Sequence, residues 1–589
     1  MELTRLFDIL PYRKETQPDR AVLIAKREGE WKKIFIDEYI ENVNNISYGL
    51  MQLGLQRGDN VALISADRPE WNFIDLAVQQ IGCVLVPIYP TISESDYHHI
   101  LTDCEAKYIF LDTESMLRKI KNILPELPNL KGIYLMDKKE DDPLTHTLHE
   151  LTDSGRAHPQ PEILESIEAS IGTRDVCTMI YTSGTTGFPK GVMLCHQNIL
   201  TCIMGVKGTP KKHFSRAMSF LPLCHIFERM MNYFYQYMGY EVYYAENVGK
   251  VIENLKVARP HMMCAVPRFI EKMYDGIYRK GEKMKGLKKK IFYWSLKLAT
   301  KYDLNGTSMW YKIRRKWADL WVYSQIRDTF GGCLEMFVSG GSAIQPKLAK
   351  FFTCIGMDIY EGYGITETAP VIAVSSSQPN GRKLGTAGLP LPGTEVKILD
   401  ETNEIVCRGP HVMIGYYKQP ELTSYAIDSE GWFHTGDTGA FEPEGQLRIT
   451  GRIKTMFKTS MGKFVNPEVL EERFKESPFV LEMMVVGENQ KFAAALIVPD
   501  FQFLQEWQER HGIHCNSREE MVTNKKTISR YQKVIDKYNK FFGSTEQIKR
   551  FKVLNDTWDT ANGCLTPTLK LKRPVISERC KDAIEELFK

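Results

Sequence analysis

The chain has 589 residues, too many for one hydrophobic core, so two or more domains are expected. With 43% hydrophobic and 25% charged residues it has an ordinary globular composition, and a formal net charge of +3 gives no reason to expect a nucleic-acid partner. Thirteen cysteines, an odd number never spaced as CxxC, fit a reducing compartment better than a disulfide framework or a zinc site. The N-terminal stretch lacks the apolar core of a secretory signal. No segment supplies the roughly 18 uninterrupted apolar residues of a membrane span, so a cytoplasmic location is expected.

In chain order, residues 60–65 and 82–89 are apolar runs that predict strands, with a helix over 71–80 between them. Residues 108–111 and 132–135 continue the alternation, which argues for parallel α/β layers. The polar, turn-rich stretch 138–161 reads as a surface excursion. Residues 176–181 predict a buried strand leading into the most informative segment, YTSGTTGFPKGV (181–192). It gathers Thr182, Ser183, Gly184, Thr185, Thr186, Gly187 and Lys190 into one loop before another apolar run, Val192-Met193-Leu194. Glycines let the backbone approach an anion, hydroxyls and N–H groups donate to its oxygens, and lysine adds charge. An ordinary flexible loop has similar composition, but the lysine, the hydroxyls and the strand context together favour phosphate binding. It is not the usual P-loop, in which Gly-Lys-Ser/Thr opens a helix.

LPLCHIFER (221–229) ends an apolar run with His225 and Glu228. The Met- and aromatic-rich residues 230–238 read mostly as core. Residues 283–318 hold eleven Lys and Arg against Asp303, interleaved with Phe292, Trp294, Trp310 and Trp317. Two readings fit. The ordinary one is a solvated charged face with the aromatics packed inward; the other is peripheral contact with an anionic membrane. SGGSA (339–343) contributes Gly341, Ser342 and Ala343, and YEGYGITET (360–368) contributes Glu361, Gly362, Tyr363, Gly364, Thr366 and Glu367. Small residues admit a flat ligand, an aromatic stacks on it, and a carboxylate suits Mg2+. GWFHTGD (431–437) ends in Asp437, whose carboxylate would accept both hydroxyls of a diol. GRIKT (451–455) carries Arg452 and Lys454. Beyond it, Pro467–Phe474 predicts a helix, 483–487, 493–498 and 548–554 predict strands, and 501–542 is mostly helical, together a small α+β unit. Lys570 lies in TPTLKLKR near the C-terminus.

These motifs, in this order, resemble those of the adenylate-forming superfamily, and the form HxFER resembles its long-chain fatty acyl-CoA synthetase branch. The resemblance implies an α/β fold: a large multi-layered N-terminal domain with parallel-type sheets (1–452), and a small mobile α+β C-terminal domain (453–589). It implies ATP, Mg2+ and CoA as ligands, and a medium- or long-chain fatty acid as substrate. The loop 182–187 with Lys190 would hold phosphates, and residues 341–343 and 361–364 would border adenine. Thr366 would approach the phosphates, Glu367 would bind the metal, Asp437 would contact the ribose, Arg452 the ribose or a phosphate, and His225 would line the acyl pocket. Lys454 would be the hinge and Lys570 the catalytic lysine. Thr455 stands where many members carry Asp, Met461-Gly462 replaces a common Gly-Gly, and Thr568-Leu569 replaces a common Ser-Gly. The alternatives are a ligase for another acid or a carrier-protein thiol, a luciferase-like oxidase, and a non-catalytic, membrane-bound lipid-binding protein. The intact set Lys190, Glu367, Asp437 and Lys570 argues against the last.

Overall fold

The computed structural model describes residues 3–137, 145–182, 189–304, 306–460, 464–544, 546–560, 562–566 and 569–589. Ser183, Gly184, Thr185, Thr186 and Gly187 therefore lie outside the described residues, as do Met461-Gly462 and Thr568. Two large sheets organise the first part of the chain. The eight-stranded sheet places Asn60–Ile64 between Val84–Ile88 and Tyr108–Thr113, all parallel, and Val84–Ile88 is in turn parallel to Val176–Thr182. The nine-stranded sheet runs parallel from Leu23–Arg27 through Glu241–Tyr244, Arg216–Ser219, Met262–Ala265 and Met336–Ser339 to Asp358–Tyr363.

Both sheets are apolar on both faces, as buried parallel strands must be. Val61, Leu63, Leu85 and Phe110 point into the core between the sheets, and Ala62, Ile64, Val86 and Ile109 into an outer core. In the second sheet Met262 and Val338 face the shared core, while Met263 and Phe337 face the opposite side. Helices Ile36–Gln52, Pro69–Gln80, His196–Val206 and Ile226–Tyr237 fill the middle layer with their buried side chains. Met230, Met231, Tyr233, Phe234 and Tyr235 are all core, as the sequence suggests.

One expectation needs correction. Within 138–161, residues 148–157 form no surface excursion. Thr147 and Glu150 close a capping box on helix Leu148–Ala157, which buries Leu148, Leu151, Thr152 and Gly155 against Ile36–Gln52. A Cβ on Gly155 would lie 1.9 Å from the Asn45 carbonyl oxygen, so only glycine permits this helix contact. The large domain has the parallel-type sheets expected of it and carries one further sheet besides. Strands Glu395–Ile398, Glu404–Arg408, Phe433–Phe441 and Leu447–Arg452 form an antiparallel sheet of their own.

The C-terminal part is a smaller α+β domain. Val480–Val486 pairs antiparallel with Ala493–Pro499, which is parallel to Ile548–Val553. Its helices cover both faces and form two cores made only of residues from Phe457 onward. No helix among the described residues is long and apolar enough to cross a membrane.

One buried ionic knot ties the layers together. The Arg229 guanidinium pairs with the Asp75 carboxylate through two nitrogens, and its third donates to Thr178 Oγ1 at 2.7 Å. Gln79 and the Tyr233 hydroxyl also donate to Asp75. Asp75 and Arg229 are almost wholly removed from solvent. Removing one partner strands the other charge in the interior, so Arg229→Met should cost about 3–5 kcal/mol. The double variant Arg229→Met/Asp75→Leu should recover a large part of that loss. Denaturant unfolding monitored by circular dichroism reads both; equal stability of Arg229→Met and the parent would refute the role.

Candidate active site

Val176–Thr182 and Lys190–Cys195 are antiparallel neighbours, with Thr182 directly opposite Lys190. The hairpin thus begins and ends the glycine-rich loop on residues whose positions are fixed. Lys190 Nζ stands 3.8 Å from Glu367 Oε1 and 3.7 Å from the centre of the Tyr416 ring. The Tyr416 hydroxyl donates to the same Glu367 oxygen at 2.9 Å. Glu367 lies in the short 3-10 turn Thr366–Thr368, next to Thr366, and is largely buried. Tyr416 belongs to no recognisable motif. The two-residue strand Gly415–Tyr416, paired with Lys190–Cys195, delivers it, so no local sequence signal pointed to it.

A second cluster surrounds Asp437. Arg452 Nε donates to Asp437 Oδ1 at 2.6 Å, and the Tyr363 hydroxyl to Oδ2 at 2.9 Å. Asp437 and Arg452 face each other across neighbouring strands, so sheet register rather than loop geometry sets the pair. Gly362 and Tyr363 end the strand Asp358–Tyr363. At Gly364 a Cβ would lie 1.9 Å from the Pro370 carbonyl oxygen, which explains that glycine without reference to a ligand. Glu361 turns its carboxyl to the Gly385 N–H at 3.0 Å, and burial pushes its pKa up to about 7. Gly341, Ser342 and Ala343 stand exposed in the segment after strand Met336–Ser339.

His225 is the N-cap of Ile226–Tyr237, and its Nδ1 accepts the Phe227 N–H at 3.2 Å. Burial, with a smaller contribution from the charge of Lys570, lowers its pKa to about 4. The ring is neutral at neutral pH, and with Nδ1 accepting, Nε2 carries the proton. Its neighbour Glu228 is fully buried, accepts from Ser219 Oγ at 2.6 Å and is pushed by burial well above the ordinary carboxyl range.

Lys570 comes from the small domain into the same cleft. It retains exposed surface although protein surrounds it closely, which marks an open, solvent-reached cleft and only partial desolvation. Desolvation, then the charge of Arg452, lower its pKa, against the pull of Asp437, Glu468 and Glu472. Its backbone is held in a turn by the Thr566 N–H to Lys570 carbonyl bond at 2.8 Å. Leu569 adopts φ +61°, left-handed backbone that a side chain resists. Three residues on, Arg573 binds the buried Glu471 at 2.6 Å and fixes this segment to the small domain. Between domains, Lys572 approaches Asp96 at 3.7 Å and Arg510 approaches Glu282 at 3.8 Å. Lys454 lies in the 3-10 turn Ile453–Thr455, directly after the strand carrying Arg452. The Thr455 hydroxyl donates to the Arg452 carbonyl, which the aspartate common at that position would not do.

Strand register and the C-terminal domain thus bring Lys190 to Glu367, Arg452 to Asp437, and Lys570 within electrostatic reach of the Asp437–Arg452 pair. The AMP-binding enzyme family matches residues 10–417, and the AMP-binding enzyme C-terminal domain matches residues 455–589. The protein belongs to the AMP-binding enzyme family. Within it, the chain is similar to the long-chain-fatty-acid–CoA ligase FadD15 of Mycobacterium bovis, 31% identical over 97% of this chain and 95% of that protein. It is also similar to human long-chain-fatty-acid–CoA ligase 6, 31% identical over 90% of this chain and 78% of that protein. Its fold matches that of the anthranilate CoA ligase AuaEII, solved in complex with anthranoyl-AMP (TM-score 0.73, 19% identity, 99% and 98% covered). ATP-bound MatB from Rhodopseudomonas palustris matches with TM-score 0.72 and 20% identity, over 99% and 100% of the two chains.

Tyr416→Phe keeps the ring under Lys190 but removes the hydroxyl from Glu367. Losing a hydrogen bond to a carboxylate should lower kcat/KM for ATP by roughly tenfold or more. Steady-state AMP release checks this, and unchanged kinetics would show that Tyr416 does not position Glu367.

Proposed function

We propose that the protein is an AMP-forming ligase that activates a medium- or long-chain fatty acid and transfers it to CoA. The acid's carboxylate oxygen attacks the α-phosphorus of ATP, forming acyl-AMP and expelling pyrophosphate. The CoA thiolate then attacks the acyl carbonyl, and AMP leaves. The substrate reading is supported by near-full-length similarity to long-chain-fatty-acid–CoA ligases. The chemical reading is carried by one observation: Lys570, from the small domain, lies close enough to His225, Arg452 and Asp437 of the large domain for its charge to act on His225 and for theirs to act on it, in the case of Arg452 and Asp437.

In this reading Lys190 and the loop from Thr182 to Gly187 hold the β- and γ-phosphates, and Thr366 approaches them. Asp437 and Arg452 bind the ribose, and residues 341–343 and 361–364 border the adenine. Neutral His225 offers its Nε2 proton toward the acyl carboxylate. Lys570 offsets the charge that develops around the α-phosphate, a task of positioning and electrostatics more than covalent help. A lone carboxylate beside a phosphate loop fits Mg2+, which is often held by one or two carboxylates plus substrate phosphates. Glu367 is that carboxylate; its negative charge now faces Lys190. Bound there, Mg2+ would neutralise phosphate charge.

The boundary falls between 1–452 and 453–589, with Lys454 as the hinge. Rotation about it would withdraw Lys570 and open the site to CoA, a large backbone change absorbed by a few residues. The protein is cytoplasmic and peripheral on the inner face of a membrane, in contact through residues 283–318.

The test is AMP release with and without CoA, across acids from acetate to octadecanoate with benzoate included. Fatty acids should support turnover only with CoA; preference for benzoate, or release without acid, would overturn the reading. Lys570→Ala should slow adenylation by about 100-fold or more while thioester formation from supplied acyl-AMP is largely spared. Equal loss of both steps would remove Lys570 from this role.

A further inference from the structure

The two helices of the basic region behave differently. Helix Gly286–Ala299 turns Phe292, Ser295 and Leu296 inward, as the ordinary reading expects, and leaves only Leu287 and Trp294 among its large apolar side chains exposed. Helix Met309–Ala318, continued by the π-turn Asp319–Tyr323, does the reverse. Trp310 is 76% exposed and Leu320 69%, and Ile313, Trp317 and Trp321 stand open with them. At 3.6 residues per turn Trp310, Ile313 and Trp317 form one narrow stripe, with Arg314 and Lys316 on either side of it.

The opposite face fixes the stripe outward. The Tyr311 hydroxyl donates to the Leu298 carbonyl at 2.9 Å, and Arg315 Nε donates to the Cys354 carbonyl at 2.8 Å. The Tyr323 hydroxyl donates to the Ser295 carbonyl at 2.7 Å. Tyr311 and Arg315 are four residues apart, one turn, so the helix is bolted down along the side away from the tryptophans. Turning the stripe inward would break these bonds.

Solvent-facing tryptophans, flanked by cations, suit the boundary between headgroups and acyl chains, where an aromatic ring has one wet and one apolar end. Exposed Lys312, Arg314 and Lys316 outweigh the one acid of residues 309–321, Asp319, which pairs with Arg327, and so give the complement to an anionic surface. We propose that the outer face of residues 309–321 is a docking surface for an anionic phospholipid leaflet. Trp310, Trp317 and Trp321 enter the headgroup layer, and Arg314 and Lys316 meet the lipid phosphates. The proposal rests on the peripheral location proposed above and narrows it. The contact is this helix rather than the whole basic segment, and it continues past Ala318 to Trp321. A long-chain acid dissolved in that leaflet would then lie next to the enzyme.

The test uses the full chain and flotation with vesicles of phosphatidylcholine alone or mixed with phosphatidylglycerol. The parent should bind the mixed vesicles, lose binding as salt rises, and have its tryptophan fluorescence quenched by brominated lipid. Trp310→Ala/Trp317→Ala and, separately, Arg314→Glu/Lys316→Glu should each weaken binding by about tenfold or more. Lys285→Glu/Lys288→Glu on the neighbouring helix should have a smaller effect, and AMP release with a short, water-soluble acid should be unchanged in all three. If the parent binds and both helix 309–318 variants bind equally well, the docking face is wrong while the peripheral location stands. If the parent binds neither vesicle, or binds both alike at high salt, the location falls as well. A parent dimer that the tryptophan variant dissociates, without vesicle binding, would assign the face to a second copy of this chain and overturn the proposal.

Discussion

The Arg229–Asp75 pair is the constraint on which the rest of the molecule depends. Its bonds reach the strand that precedes the glycine-rich segment, through Thr178, and the helices Pro69–Gln80 and Ile226–Tyr237. The Thr178 hydroxyl in turn donates to the Leu85 carbonyl at 2.8 Å, so the knot also fixes the neighbouring parallel strand. Thr182 lies four residues beyond Thr178 on the strand, and His225 four residues before Arg229, at the start of its helix. Two site groups therefore inherit their separation from one buried contact. In a low-dielectric interior such a network holds firmly because both Asp75 oxygens and all three Arg229 nitrogens find partners. The arginine of HxFER is thus structural, and the histidine four residues before it is the group that faces the cleft.

The cleft itself balances its charges in pairs before any ligand arrives. Glu367 faces Lys190, and Asp437 faces Arg452. His225 contributes no charge, because burial keeps it neutral. Lys570 is the exception in kind, a cation whose anchorage lies in the other domain, through Arg573 and Glu471. Movement of that domain would change the electrostatics at one point and leave the remaining pairs in place. The sparse interdomain ion pairs, Lys572 with Asp96 and Arg510 with Glu282, are partly exposed and so weak ties.

The elements most legible in the sequence were those with strong local signals. Val176–Thr182 is mostly apolar and Ala493–Pro499 an unbroken apolar run, and Pro467–Phe474 opens on an Asn cap and a proline at its first turn. The antiparallel sheet 395–452 was not legible, because its strands are polar-facing and interrupted by register shifts between Glu404 and Val406 and between Thr438 and Gly439. Leu148–Ala157 was hidden by its composition: it buries a Thr and a Gly as well as leucines, and the close approach to Asn45 that requires the glycine is a tertiary fact. In the site, Asp437 and Arg452 were readable as motifs, but their pairing depends on strand register. Tyr416 was unreadable because only sheet pairing brings it to Glu367. The basic region illustrates the same limit: composition revealed cations among aromatics, but only the inward bonds of Tyr311 and Arg315 decide which face looks outward.

The central claim is that the carboxylate is activated on ATP before CoA takes part. Exchange of labelled pyrophosphate into ATP, measured with a fatty acid present and CoA absent, tests it most directly. The account expects exchange that requires the acid and proceeds without CoA. Absence of acid-dependent exchange, or exchange that begins only when CoA is added, would contradict it.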